Sequence, residues 1–165
     1  MAPAPADSIP RPAPRALLIG GTAAYGLDLA PYGPVDAAFV LDTPFGPSPV
    51  LTLLQPDPAQ PPAAFCSRHG PDQLARSAAF VNHRALIWAA GMLGVAAIFS
   101  WNGTGAIAGD LAVGDLVIPD DFLDFTRTRR TSFEHANLTS FQIDAPPRPP
   151  FHPAARAALL PAARR

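Results

Sequence analysis

The sequence predicts an α/β fold, in which short buried strands form a sheet and a helix packs against it. Several short apolar runs are bounded by glycine-rich or proline-rich turns, which is the pattern of buried strands. One longer segment, residues 81–93, instead repeats its apolar side chains at helical spacing. Strands interleaved with a helix favour a sheet with helices over a helical bundle.

The predicted strands are apolar runs of three to five residues, each followed by a turn. The first of them, residues 16–19, stops at the tight turn Gly20-Gly21. Another follows the turn Gly114-Asp115. The full set of predicted strands is residues 16–19, 39–41, 50–54, 63–66, 95–99 and 116–118.

The predicted helix over residues 81–93 presents one apolar face. That face contains Val81, Ala85, Trp88 and Met92. We therefore expect Trp88 to be a core residue. Gly94 follows the last of these residues and suits a helix C-terminus, because glycine readily adopts the left-handed conformation found there.

Proline content divides the chain into parts. There are 22 prolines among 165 residues, well above the usual fraction of about 5%. They crowd both ends of the chain and residues 31–62. We expect a disordered Pro/Ala tail over residues 1–15 and an α/β domain over residues 16–145. For residues 146–165 we expect a Pro-rich segment with a short Ala/Arg helix.

Composition excludes several classes of partner. The net charge is −1, so no basic surface points to nucleic acid or to an anionic membrane. The longest apolar stretch, Leu86 to Phe99, is shorter than the roughly 20 residues that a membrane-spanning helix needs. We expect no partnership with nucleic acid or with a membrane.

Cysteine usage indicates a reducing compartment. Cys66 is the one cysteine, so no intramolecular disulfide forms, and we expect a cytoplasmic protein. The first residues have no cation before Arg11 and no apolar core of a secretory signal. Because Cys66 lies in an apolar run, we interpret it as an inert core thiol and not as a nucleophile.

Three predicted strand ends carry turns suited to an anion: Gly20-Gly21-Thr22, Arg68-His69-Gly70 and Asn102-Gly103-Thr104-Gly105. In open α/β sheets, ligands bind beyond the carboxyl ends of strands. Glycine turns let backbone N–H groups approach an anion, and an arginine offers a fork of donors. Each of these turns, taken alone, is more often a structural turn or a solvated surface pair, and only the three together indicate an oxyanion site for phosphate. The four histidines are scattered without the spacing of metal ligands.

The order of these and other motifs resembles the methylthioadenosine phosphorylase family. The opening Leu18-Ile19-Gly20-Gly21-Thr22 is similar to its phosphate loop, and Arg68-His69-Gly70 matches its R-H-G motif. The remaining matches are Asp42-Thr43-Pro44-Phe45-Gly46, Val81-Asn82 with Ile87-Trp88-Ala89, Gly114-Asp115-Leu116-Val117-Ile118-Pro119-Asp120, Phe122-Leu123-Asp124, Thr126-Arg127 and Ser132-Phe133.

The resemblance implies a mixed central sheet flanked by helices, truncated on its C-terminal side. It implies phosphorolysis of a purine nucleoside, which gives the free base and ribose 1-phosphate. Carried over by motif, the phosphate-binding residues are Thr22, Arg68, His69, Asn102 and Gly103, and the last two also touch the ribose. Inorganic phosphate is then the co-substrate, with no metal or organic cofactor. The family forms trimers, so we expect a homo-oligomer or a partner chain that supplies the missing half.

The sequence departs from the family pattern at several places. After R-H-G the family has a loop that contains a His, whereas Pro71-Asp72-Gln73-Leu74 stands here without it. Asn102-Gly103 stands where the family has a Thr-Ala or Ser-Ala step. The later N-M-T motif and the acidic residue that contacts the base have no counterpart here. Two other interpretations therefore stay open: a non-catalytic truncated paralogue or one chain of a split enzyme, and a nucleosidase that uses water in place of phosphate.

Overall fold

A computed structural model describes residues 10, 12–70, 76–130, 133 and 149–163. The chain forms two compact units, Met1–Thr104 and Gly105–Arg165. The boundary between them falls inside the range 16–145 for which the sequence predicts a single domain. Most of the predicted tail, residues 131, 132 and 134–148, and the last two residues of the chain lie outside the described residues, so the predicted domain limits stay a prediction.

Among the described residues of the first unit, seven strands form the framework, and five of them make one sheet with the order β2-β5-β6-β1-β7. β1 pairs in parallel with both β6 and β7, whereas β5 pairs antiparallel with β2 and β6. β3 and β4 form a separate two-stranded hairpin. The predicted mixed sheet is therefore confirmed. The strands are β1 (Ala16–Gly20), β2 (Pro34–Phe39), β3 (Asp42–Thr43), β4 (Gly46–Pro47), β5 (Leu51–Leu54), β6 (Ala63–Ser67) and β7 (Ala97–Trp101).

Helix α1 (His83–Leu93) covers one face of this sheet. Asn82 caps its N-terminus, because its side-chain Oδ1 accepts from the Ala85 N–H at 3.2 Å. Gly94 ends it with φ +68°, as the sequence predicts. The residues that form the core between the helix and the sheet are Leu17, Ile19, Leu41, Leu51, Leu53, Ala64, Cys66, Leu86, Ala89, Ala90 and Leu93.

The buried face of α1 differs from the predicted one. Trp88 is 37% exposed, so the prediction that it is a core residue is wrong. Its ring instead meets Phe45 edge to face, with ring centroids 5.5 Å apart. Smaller side chains, Ala89 and Ala90, contribute to the core between the helix and the sheet instead.

Three predicted strands differ from the observed structure. The run 39–41 overlaps β2 only at Phe39, because Leu41 bonds instead to Ser48 through both its N–H and its carbonyl. The strand predicted at 95–99 is β7, which begins two residues later, because the Val95 N–H still bonds to the Ala90 carbonyl at the end of α1. The run 116–118 forms no strand, and Leu116 and Val117 are 70% and 58% exposed. A strand needs a hydrogen-bonded neighbour, and none of the described strands pairs with this run.

The second unit contains helix α2 (Pro153–Ala162), which matches the short helix expected in the last segment. Within this unit, the Arg156 Nε–H donates to the Pro119 carbonyl at 3.2 Å, and Arg156 also lies 3.8 Å from the Asp120 carboxylate. The Thr126 hydroxyl and N–H bond to Asp124, which lowers the pKa of that exposed carboxyl. Neither of the two α-helices described has the length and apolar character needed to cross a membrane.

The start of the sheet includes the last residues of the predicted tail. The Pro14 side chain is fully buried. The Arg15 N–H donates to the Pro62 carbonyl at 2.9 Å, and the Arg15 carbonyl accepts from Ala96 at 2.8 Å. Arg15 therefore extends the pairing of β1 on both sides, and the buried Pro14 precedes it.

We predict opposite effects of adding a methyl group at two glycines. A Cβ at Gly20 would lie 2.4 Å from the Ala24 Cβ and 3.4 Å from the Phe65 ring. Gly20→Ala should therefore lower the free energy of unfolding by about 1–3 kcal/mol. Gly91, on α1, has nothing within 4 Å of the added atom, so Gly91→Ala should raise it by about 0.5–1 kcal/mol. Urea denaturation checks both, and equal effects would contradict this packing.

Candidate anion-binding site

The carboxyl ends of three neighbouring strands meet at one edge of the sheet. Gly20, at the end of β1, lies in register with Ser67 of β6 on one side and Trp101 of β7 on the other. Backbone hydrogen bonds between these strands continue one residue beyond the end of β1 and of β6. The Gly21 N–H donates to the Trp101 carbonyl at 2.9 Å, and the Arg68 N–H donates to the Gly20 carbonyl at 3.0 Å. The three turns predicted to bind an anion therefore start side by side.

The turns after β1 and β7 are in direct contact. A Cβ placed on Gly21 would lie 2.3 Å from Asn102 Oδ1, so the Asn102 amide occupies space that only glycine leaves open. A Cβ placed on Gly103 would lie 4.0 Å from Thr22 Oγ1 and 3.6 Å from Ala23 Cβ. Thr22, Asn102 and Gly103 are all exposed, and the structure brings these three predicted residues together at the mouth of the site.

A single turn of 3-10 helix, Thr22–Ala24, orients the first of these residues. The Ala24 N–H donates to the Gly21 carbonyl at 3.0 Å, and the Tyr25 N–H donates to the Thr22 carbonyl at 3.2 Å. The turn follows directly after β1. Gly20 and Ala24 pack so closely across it that residue 20 has no room for a side chain. Thr22 therefore stands at the surface with its hydroxyl beside Gly103.

Arg68 and His69 form a hydrogen-bonded pair at the end of β6. The Arg68 Nε–H donates to His69 Nε2 at 3.0 Å. His69 Nδ1 lies 2.8 Å from the Arg76 carbonyl oxygen, which accepts but cannot donate. Nδ1 therefore carries the ring proton, and Nε2 is an acceptor.

This geometry gives His69 a different place from the one that the motif implies. His69 is 2% exposed, and each ring nitrogen is bonded to a group of the protein itself. In this tautomer, no ring N–H remains to donate to a phosphate. Arg68, in contrast, is partly exposed. Direct phosphate binding by His69 stays a prediction from the motif, and the structure shows its ring bonded to Arg68.

Three further residues of the site are not predicted by any pattern in the sequence described above. The Tyr25 ring meets the His69 ring edge to face at 6.3 Å, and its buried hydroxyl has no hydrogen-bond partner among the described residues. The Ser67 hydroxyl is likewise buried without a partner in the part of the chain that is described. Arg76 contributes a backbone carbonyl, which no side-chain pattern can reveal. For Ser67, its place next to Arg68 was the one available signal.

The Asp-Thr-Pro-Phe-Gly motif has a structural role in this chain. Thr43 Oγ1 donates to the Gly46 carbonyl at 2.6 Å, which closes the hairpin of β3 and β4. Asn82 Nδ2 donates to the Phe45 carbonyl at 2.7 Å, so the residue that caps α1 also holds the hairpin. The Arg84 guanidinium lies 4.5 Å above the Phe45 ring. These contacts fasten the hairpin to the start of α1.

Cys66 has the properties of an inert core thiol, as the sequence predicts. It is 1% exposed, and burial raises the pKa of its thiol to about 12 because desolvation disfavours the thiolate. No group of three or more His, Cys, Asp or Glu side chains that could hold a metal ion occurs among the described residues.

We predict that the native Cys66 thiol resists alkylation. At pH 8, a thiol with a pKa of about 12 has a very small thiolate fraction, and the thiolate is the nucleophile. Iodoacetamide should label the folded protein far more slowly than the same protein in urea, as followed by mass spectrometry. Equal labelling rates in the two states would contradict the burial of Cys66.

Comparison with known proteins identifies the family. The model of the phosphorylase superfamily matches residues 59–165. The chain is 33% identical over 127 residues to S-methyl-5'-thioadenosine phosphorylase of Pyrococcus horikoshii, which covers 73% of this chain and 44% of that protein. It is 38% identical over 116 residues to a probable S-methyl-5'-thioinosine phosphorylase of Methanothermobacter thermautotrophicus, which covers 70% of this chain and 40% of that protein.

A solved structure shows the same fold. The methylthioadenosine phosphorylase of Schistosoma mansoni in complex with adenine superposes with a TM-score of 0.76 at 29% identity, covering 92% of this chain and 53% of that one. The chain thus spans about half of the length of the relatives that it matches, or somewhat less. It belongs to the phosphorylase superfamily, as the N-terminal part of a member related to methylthioadenosine phosphorylases.

Proposed function

We propose that this chain supplies the phosphate-binding half of a purine nucleoside phosphorylase. Its main support is that three donor-rich turns lie next to one another at the carboxyl ends of β1, β6 and β7. Parallel strand ends are where open α/β sheets bind ligands. Thr22, Arg68 and the Asn102-Gly103 turn supply a hydroxyl, a guanidinium and an amide at this edge.

In the proposed reaction, an oxygen of inorganic phosphate attacks the anomeric carbon of the nucleoside. The bond from that carbon to the purine nitrogen breaks, its electron pair leaves with the base, and ribose 1-phosphate and free purine result. Positive charge develops on the ribose in the transition state. Phosphate held beside it acts both as nucleophile and as counter-charge, so positioning and electrostatics supply most of the catalysis.

Several residues of this chain bind the phosphate in this proposal, each through a different chemical group. The Arg68 guanidinium supplies positive charge and paired donors, and the Thr22 hydroxyl and the Asn102 amide add neutral hydrogen bonds. Gly103 leaves the space next to Thr22 without a side chain, which gives the phosphate and the ribose room to approach. Inorganic phosphate is the proposed co-substrate, and the reaction calls for no metal or organic cofactor.

The substrate class comes from the names of the relatives. Those proteins are named as phosphorylases of methylthioadenosine or methylthioinosine, and one of the superposed structures holds adenine. We propose a purine nucleoside of this class as the substrate, with a role in purine salvage. The lone and buried Cys66 thiol supports a reducing compartment, so we propose a cytoplasmic protein.

Association with a second chain is part of the proposal. β7 lies at an edge of the sheet, and Ile98 and Trp101 on this strand are 42% and 47% exposed. An open strand edge with exposed apolar side chains favours pairing with another chain. We propose a homo-oligomer, a trimer by family resemblance, or a partner chain that contributes the remaining part of the active site.

Phosphate affinity should depend on Arg68. We predict that Arg68→Ala weakens phosphate binding by about 1.5–3 kcal/mol, the range for hydrogen bonds to charged groups. Arg129→Ala removes the same charge from an exposed position in the second unit and should leave the affinity within about twofold of the wild type. Isothermal titration calorimetry with phosphate measures both, and equal affinities of wild type and Arg68→Ala would refute the site.

We predict that the 165-residue chain alone binds phosphate but has negligible phosphorylase activity. Positioning of the substrate contributes about 7–11 kcal/mol to catalysis, and this chain spans less than half of its curated relatives. The assay uses methylthioadenosine, inosine and adenosine with and without phosphate, together with light scattering for the mass. Phosphate-dependent release of base at about 1 s⁻¹ or more would refute the activity claim, and a monomer would refute association. Release without phosphate would indicate a nucleosidase.

A further inference from the structure

We infer that the imidazole of His69 acts as a positioning group, which orients Arg68 toward phosphate and does not itself bind the anion. The inference rests on the proposed phosphate site and concerns how that site is held in shape. It starts from the relay of hydrogen bonds that runs from the Arg76 carbonyl through the imidazole to the Arg68 Nε–H.

The two hydrogen bonds of the relay determine each other. The Arg76 carbonyl accepts the proton on Nδ1 at 2.8 Å, so Nε2 keeps its lone pair. Arginine has only donors, so the Arg68 Nε–H at 3.0 Å requires that lone pair. A proton on Nε2 would place two donors against each other and break the contact with Arg68.

The imidazole is held in place from several segments of the chain. Its Nδ1 is bonded to Arg76, seven residues further along, and the Tyr25 ring meets its edge at 6.3 Å. A hydrogen bond from the Arg76 N–H to the His69 carbonyl at 3.0 Å closes the loop that carries both residues. With 2% of His69 exposed, the ring has one orientation and almost no contact with solvent.

When the direction of the Arg68 Nε–H bond is fixed, the orientation of the whole guanidinium group is fixed with it. The group is planar, so the direction of its Nε–H sets the plane of the two terminal amino groups, which carry the other four N–H bonds. An arginine side chain held this way loses less conformational freedom when it binds an anion. His69 thereby raises phosphate affinity through Arg68.

A double-mutant cycle separates this role from direct binding. His69→Asn retains a donor near the position of Nδ1 but has no acceptor within reach of Arg68. Its phosphate affinity should fall about tenfold in the wild-type background and change by less than about twofold in the Arg68→Ala background. Titrations followed by 31P NMR measure all four proteins. An equal loss in the two backgrounds would show that His69 contacts phosphate directly and would overturn the inference.

His69→Gln is the matched control, because its side-chain oxygen reaches the position of Nε2 and can accept from Arg68. It should recover most of the affinity that His69→Asn loses, whereas a merely structural role would leave both variants equally impaired. Melting temperatures of the variants identify any general loss of folding. If Gln restores nothing while both variants stay folded, the inference fails.

The tautomer gives a second test that needs no phosphate. The 15N NMR spectrum of the full chain should show His69 with a protonated Nδ1 and an unprotonated Nε2. A proton on Nε2 would overturn the positioning role directly. If the wild-type protein fails to bind phosphate, the proposed function fails, and this spectrum still decides whether His69 holds Arg68.

Discussion

The parallel pairing of β1 with both β6 and β7 is the constraint on which the site depends. Parallel neighbours end at the same edge of a sheet, so three stretches that are far apart in sequence deliver their next residues to one place. The pairing continues past the strands through the amides of Gly21 and Arg68. The positions of Thr22, Arg68 and Asn102 follow from this register.

Close backbone approach is the second requirement. Gly20 gives space to Ala24 and to the Phe65 ring, and Gly21 gives space to the Asn102 amide. The two glycines therefore serve different neighbours, one inside the fold and one at the mouth of the site. The packing also explains why Asn102 sits here: its side chain occupies the space that a glycine at position 21 leaves open.

Much of this arrangement could be predicted from the sequence, because strands and turns leave local patterns. The apolar runs located β1 and β6, and the glycine turns and the Arg-His pair marked their carboxyl ends. The strand predicted at 116–118 failed because strand formation depends on a partner that the local sequence does not specify. The hydrogen-bond relay that ends at Arg68 could not be predicted from the sequence either. It depends on the Arg76 carbonyl and on the burial of His69, which only the tertiary fold determines.

The central claim is that the ends of β1, β6 and β7 build one oxyanion site. A crystal structure with arsenate, which has the shape of phosphate and an anomalous signal, tests this most directly. The claim predicts arsenate oxygens about 2.7–2.9 Å from the terminal amino groups of Arg68, within reach of Thr22 and Asn102 and out of contact with the His69 imidazole. Arsenate absent from this edge at a saturating concentration, or bound elsewhere in the chain, would contradict it.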